Sequence, residues 1–183
     1  MQIAVLIEDQ LRSHSEARHY NENGSHMATY EHWSAARASE IIDEHKALDG
    51  AAMPILHAIQ EAFGYIPEEA QPLIAKALNI SRAEIHGVVT FYHDFRQKPP
   101  GKHVLKLCAA EACQSMGGEK ILHAAEKALG IKAGETTGDG QVTLEHIYCL
   151  GLCATAPSAM LNGKIAGRID EKRLTALLAE TRR

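Results

Sequence analysis

Residues 103–113 read His103-Val104-Leu105-Lys106-Leu107-Cys108-Ala109-Ala110-Glu111-Ala112-Cys113, and residues 142–153 read Val142-Thr143-Leu144-Glu145-His146-Ile147-Tyr148-Cys149-Leu150-Gly151-Leu152-Cys153. Both runs open with the apolar alternation of a half-buried strand. Both close on a cysteine pair, Cys108-x4-Cys113 and Cys149-x3-Cys153, with 35 residues between the pairs. Each pair follows a predicted strand, so two loops, with all four cysteines of the chain, can converge at one end of a sheet.

The flanking segments supply the rest of an α/β unit. Gly117 to Leu129 reads as a helix with Ile121, Leu122, Ala125 and Leu129 on one face. Met160 to Ala166 reads as a hairpin turning at Asn162-Gly163, a dipeptide that tolerates the positive φ values of a tight turn. Asp170 to Thr181 reads as a closing helix capped by Asp170. The order β-α-β-β-α predicts a compact α/β sandwich.

Upstream the texture is helical. Ser34 to Leu48 forms one helix, ended by Asp49-Gly50; Ile55, Leu56, Ile59 and Phe63 mark a second, stopped at Gly64. Ile66-Pro67-Glu68-Glu69 looks like a third start, with proline in the first turn and acids favoured by the helix dipole. Ser81-Arg82-Ala83-Glu84 matches a capping box, and Ile85, Val88, Val89 and Tyr92 continue an apolar face. Gln97-Lys98-Pro99-Pro100-Gly101 breaks the pattern. The expected organisation is therefore a helical bundle over 28–98 and an α/β domain over 99–183. Residues 1–27 are set aside as a natural flexible arm or, given Gly24-Ser25-His26-Met27, a vector-derived segment.

Composition bounds the function. The 183 residues carry 45% hydrophobic and 23% charged side chains and a net charge of -4, an ordinary globular balance without the basic surface of a nucleic-acid binder. No apolar run approaches the ~20 residues of a membrane span. The N-terminal run is too short and wrongly charged for a secretory signal, so a cytoplasmic location is the default. In that compartment structural disulfides are disfavoured, and cysteines serve more often as metal ligands or redox groups.

Four thiolates suit a [2Fe–2S] cluster, two for each iron. Ala109, Ala110, Ala112, Gly117, Gly118, Leu150, Gly151, Leu152 and Ala154 are small or apolar. Small residues let backbone N–H groups approach sulfur, and apolar ones limit water access; both tune the potential. Structural zinc is the competing reading, although its knuckles favour shorter C-x2-C spacings. The C-x-x-C of a dithiol enzyme is missing. Four unliganded cysteines would not explain two matched pairs after two strands.

The stretches Cys108-Ala-Ala-Glu-Ala-Cys113, Glu135-Thr-Thr-Gly-Asp-Gly140, Cys149-Leu-Gly-Leu-Cys153 and Ala156-Pro157, with Phe63-Gly-Tyr-Ile-Pro67 and His86-Gly-Val-Val-Thr-Phe-Tyr92, closely resemble the thioredoxin-like [2Fe–2S] subunit family. The resemblance runs from about Ile55 to the C-terminus. It implies a thioredoxin-like domain behind the helical bundle, with Cys108, Cys113, Cys149 and Cys153 as ligands of one [2Fe–2S] cluster. Members serve respiratory complex I, NAD-linked hydrogenases and NAD-dependent formate dehydrogenases. Ala110-Glu-Ala-Cys-Gln-Ser115 and the run His86 to Arg96 look most like the formate dehydrogenase gamma subunit. Complex I relatives more often place a basic residue and glycine where this chain has Gln114-Ser115-Met116-Gly117. The resemblance further implies a partner subunit with FMN and NAD, and a formate-oxidising subunit with a molybdenum or tungsten cofactor.

Eleven histidines invite a metal reading. His57, His86 and His93 lack the paired spacing with a glutamate that a zinc hydrolase shows, and read as surface or interface residues. Gly138-Asp139-Gly140 and Gly117-Gly118 fit neither a phosphate loop nor a dinucleotide fingerprint, so turn and close-packing roles suffice. No paired carboxylates and no Ser/His/Asp set stand out, which assigns substrate chemistry to another chain.

Overall fold

The computed structural model describes residues 30–182. The chain divides into two compact units, one spanning Thr29–Pro100 and the other containing Gly101–Arg183. The expectations for residues 1–27 lie outside the described residues.

In the first unit, helices α1 (Ala35–His45), α2 (Ala52–Phe63), α3 (Ala70–Leu78) and α4 (Arg82–Phe91) surround one apolar core. Ile55, Leu56, Ile59, Ile74 and Ile85 are fully buried in it. Their i, i+3/i+4 spacing puts them on the inward stripe of each helix. The caps act as their residue types dictate. The Ser34 hydroxyl accepts from the Arg37 N–H, and Ser81 and Glu84 form the reciprocal capping box. Gly64 ends α2 at φ 83°, a left-handed turn that glycine enters without Cβ strain. Trp33 meets Phe63 edge-to-face at 5.1 Å between ring centroids. The third helix starts later than Pro67 suggests. Ala70 N–H bonds the Pro67 carbonyl and Gln71 N–H that of Glu68, so 67–69 form a tight turn before α3. His57, His86 and His93 are all exposed.

The second unit is a four-stranded mixed sheet of order β2-β1-β3-β4. Its strands are β1 (His103–Cys108), β2 (Val142–Ile147), β3 (Ala159–Leu161) and β4 (Lys164–Ala166). β1 is central, parallel to β2 and antiparallel to β3, with Cys108 opposite Ile147 and Leu107 opposite Ala159. The β1–β2 crossover carries α5 (Glu111–Ser115) and α6 (Gly118–Leu129), and α7 (Glu171–Glu180) closes the chain. Leu105, Leu107, Leu144, Ala159, Ile121, Ala125, Leu174 and Leu178 form a single core between the sheet and the two long helices. Asp170 caps α7 by accepting from the Arg173 N–H.

Two turn motifs finish the sheet. Asn162 (φ 50°) and Gly163 (φ 83°) make the β3–β4 hairpin. Asn162 also bridges back to β1: its N–H bonds the Val104 carbonyl, and its side-chain oxygen accepts from the Val104 N–H. Along the outer edge of β2, Gly134 N–H and Thr137 N–H bond the carbonyls of Leu144 and Val142. The Asp139 carboxylate closes the following turn by accepting from the Thr137 hydroxyl and the Gln141 N–H. Glu135 to Gly140 thus covers a strand edge that would otherwise present unpaired backbone groups.

Candidate metal centre

Parallel pairing of β1 and β2 sends both chain ends out of the same edge of the sheet, and both carry cysteines. Cys108 is the last residue of β1 and is held from two sides. Its own N–H bonds the Ser158 carbonyl, and the next N–H, of Ala109, bonds the Ile147 carbonyl. Cys113 lies one short helix further on, in α5, a five-residue element with too few turns to show a period in the sequence. Cys108 and Cys113 are buried at 6% and 2% exposure.

The second pair is built differently. β2 stops at Ile147, one residue earlier than the alternation suggests, and Tyr148 swings out to 71% exposure. Cys149 then takes a left-handed backbone, φ 88°, followed by Gly151 at φ 74°, and Cys153 opens a single 3-10 turn through Thr155. This tight reversal puts the Cys149 and Cys153 Sγ atoms 3.7 Å apart. The Gly151 N–H donates to Cys149 Sγ at 3.4 Å. Both cysteines are exposed. The leucines of Leu150-Gly151-Leu152 thus do not shield this pair from water as their type suggests.

Two of the four thiols depart from the ordinary thiol value. Burial pushes the Cys108 thiol up, but hydrogen bonds from the Ala110 backbone, the Cys113 side chain, the Cys149 backbone and the Ser158 hydroxyl outweigh it and hold it below the usual thiol value. The hydrogen-bonded Cys149 side chain pushes the Cys153 thiol up, with smaller contributions from the Cys149 charge, burial, Cys113 and Cys108.

The arrangement fits a dinuclear iron–sulfur group. Two thiolates ~2.3 Å from one tetrahedral ion lie about 3.8 Å apart, close to the Cys149–Cys153 separation. Among the described residues, no three His, Cys, Asp or Glu side chains gather as the donor set of a single ion.

Three further residues shape the site. Ser158 Oγ lies 3.5 Å from Cys113 Sγ in a buried contact. Only the register of β3 against β1 brings it there, so its local sequence carries no signal. Gly118 lies against the cysteine backbone: a Cβ at this position would stand 2.7 Å from the Cys113 carbonyl oxygen. Its neighbour Gly117 takes φ 89°, so the glycine pair combines a turn with a close approach. Gly167 packs against Thr155 and leaves no room for a Cβ beside it, and the Arg168 N–H bonds the Thr155 carbonyl at 2.6 Å, fixing the turn that carries Cys153.

The likeness to known proteins follows the same residues. The family model of the thioredoxin-like [2Fe-2S] ferredoxins matches residues 38–182. The NADP-reducing hydrogenase subunit HndA of Solidesulfovibrio fructosivorans is 35% identical over 132 residues, covering 72% of this chain and 77% of that protein. An NADH-quinone oxidoreductase subunit of Pseudomonas aeruginosa is 34% identical over 128 residues, covering 70% and 77%. Among solved structures, a chain of an NAD+-reducing [NiFe]-hydrogenase in the H2-reduced state superposes with a TM-score of 0.59 at 26% identity. That match covers 69% of this chain but 22% of the hydrogenase chain. With the family match running through both cysteine pairs and the sheet that carries them, the chain belongs to the thioredoxin-like [2Fe-2S] ferredoxin family.

Proposed function

We propose that the chain is an electron-transfer subunit holding one [2Fe–2S] cluster on Cys108, Cys113, Cys149 and Cys153, within a cytoplasmic NAD-dependent formate dehydrogenase complex. The observation that carries the reading is the gathering of two cysteine pairs at one edge of the sheet, one pair 3.7 Å apart between sulfurs. When bound, the cluster supplies one-electron transfer between ferric and ferrous iron. The chain's own residues bind and orient it. Strand pairing fixes Cys108, the Gly151 N–H donates to Cys149 Sγ, and the Ser158 hydroxyl stands against Cys113. The finer domain reading, a helical bundle over 28–98 and a thioredoxin-like domain over 99–183, belongs to this proposal.

A subunit role is supported by the names of the relatives, which are subunits of NAD(P)-linked oxidoreductases, and by the surface. Met116 and Tyr148, each within three residues of a site cysteine, are 64% and 71% exposed. Large apolar side chains at such a place suit a face that a partner covers. The partner is a flavin subunit carrying FMN and binding NAD, and a further subunit with a molybdenum or tungsten cofactor oxidises formate. The formate assignment rests on Ala110 to Ser115 and His86 to Arg96. The relatives' names favour a second reading, the equivalent subunit of an NAD-linked hydrogenase or of complex I. A zinc-stabilised interaction module is the remaining alternative, disfavoured by the family match, whose members are [2Fe-2S] ferredoxins.

Iron and acid-labile sulfide analysis of anaerobically purified protein tests the cluster. Two irons and two sulfides per chain are expected from the cluster's formula, and Cys149→Ser is expected to lose or alter the visible spectrum. One zinc per chain and no EPR signal on reduction would overturn the reading. The parent complex is tested by co-purification and by asking whether formate, hydrogen or NADH with quinone sustains turnover.

A further inference from the structure

The two cysteine pairs are unequal, and the inequality gives the site a direction. Cys108 and Cys113 are buried, the first pinned by backbone bonds on both sides and the second against Ser158. The Gly118 backbone packs behind them so closely that a methyl group would collide with the Cys113 carbonyl. Cys149 and Cys153 are exposed, already at a tetrahedral-edge separation, and joined through Gly151, where an added Cβ would meet no atom within 4 Å beyond its own chain neighbours. A bulky thiolate-ligated metal group approaching from solvent meets the second pair first.

We propose that Cys149 and Cys153 are the receiving pair: they take an incoming [2Fe–2S] cluster from the thiolates of a carrier, and Cys108 and Cys113 complete the ligand set afterwards. The proposal rests on the reading of the four cysteines as ligands. Each receiving thiol gives up its proton and forms one iron–sulfur bond. One carrier thiolate leaves the same iron and takes up a proton in exchange. The same exchange then occurs at Cys108 and Cys113. No electrons are transferred, so neither an oxidant nor a reductant is needed.

The test uses the full-length chain, metal-free and reduced, mixed anaerobically with a glutathione-ligated [2Fe–2S] complex, with uptake followed by visible circular dichroism. Replacing the outer pair (Cys149→Ser with Cys153→Ser) is expected to slow the initial phase about tenfold or more, since exchange rates follow access. Replacing the inner pair (Cys108→Ser with Cys113→Ser) is expected to leave the initial phase within about twofold of the unaltered chain but to abolish the final spectrum. An inner-pair variant that slows the first phase as much as the outer-pair variant overturns the order.

A second measurement avoids substituting buried residues. Brief iodoacetamide treatment, mapped by peptide mass, is expected to label Cys149 and Cys153 before Cys108 and Cys113 and to abolish uptake while the far-UV spectrum is unchanged. Uptake at the untreated rate by protein labelled at the outer pair overturns the proposal. If both double variants reach the final spectrum of the unaltered chain, the ligand reading itself fails, an outcome distinct from a reversed order.

Discussion

Gly118 packs against Cys113 at a distance no other residue type could occupy: a Cβ there would stand 2.7 Å from the cysteine's carbonyl oxygen and 3.0 Å from its carbonyl carbon. The neighbour is backbone and cannot rotate aside. Gly118→Ala is therefore expected to destabilise the fold by roughly 1–3 kcal/mol, read as a lower urea midpoint, and to shorten cluster lifetime under chelator challenge. Gly87 is the contrasting case. It lies inside α4, and an added Cβ meets nothing within 4 Å. Gly87→Ala should raise stability by about 0.5–1 kcal/mol. Equal effects of the two substitutions would show that the Cys113 contact is not the cause.

Ser158 should tune the cluster potential. Its hydroxyl and the Cys113 thiol can exchange donor and acceptor roles while the sulfur is protonated. With Cys113 a thiolate ligand, as proposed, the hydroxyl can only donate. A donor to a ligand sulfur favours the more negative, reduced state, so Ser158→Ala should lower the midpoint potential by on the order of tens of millivolts. EPR-monitored redox titration measures it, and an upward shift would reverse the assigned donor role.

His103 should make folding stability pH-dependent. Burial first, and the positive Lys102 second, hold this imidazole below its ordinary pKa of about 6.5. The folded chain thus takes up the proton less readily than the unfolded chain, and stability rises with pH across the window. The contribution is present in full above about pH 6.5 and is lost as pH falls through that value towards the lower folded one. Asn162 supplies the geometric reason. Its Nδ2 donates to His103 Nδ1 at 2.8 Å while its Oδ1 accepts from the Val104 N–H at 2.9 Å. A second proton on the ring removes the acceptor, and flipping the amide would turn its NH2 against the Val104 N–H. The Tm difference between the parent chain and His103→Gln should narrow between about pH 7.5 and 5.5; a constant difference would exclude His103 as the titrating group.

The capping box offers a local test. Ser81→Ala removes the acceptor for the Glu84 N–H and should cost about 1 kcal/mol. Glu84 lies below the usual carboxylate range because the Ser81 backbone N–H, then the Ser81 hydroxyl, donate to it. In Ser81→Ala the Glu84 carboxyl should titrate closer to its ordinary value by NMR. An unmoved titration would mean that the backbone bond alone sets it.

Local chemistry was legible wherever one residue determines the outcome. Ser81 and Asp170 cap helices, Gly64 ends one, Asn162-Gly163 turns a hairpin, and alternation delivers Cys108 at a strand end. What escaped depends on distance or direction. The helix holding Cys113 spans 5 residues, less than two turns, so no periodicity can announce it. Ser158 reaches Cys113 across 45 positions, and Asn162 reaches His103 across 59. Leu150 and Leu152 are apolar, yet residue type does not reveal which way a loop turns, and the left-handed backbone at Cys149 leaves that pair facing solvent.

The central position of β1 has a consequence for biosynthesis. β1 carries Cys108, yet both of its partners come later in the chain: Ile147 lies opposite Cys108, and Leu161 lies opposite Leu105. The helical unit before Pro100 needs only its own residues and can form while the rest is still being made. The strand bearing Cys108 cannot be flanked until residue 161 has left the ribosome. During that interval the nascent chain displays a bare strand and an unprotected Cys108 thiol, so it depends on the reducing power of its surroundings, and the proposed four-cysteine site can be complete only once β3 has been made.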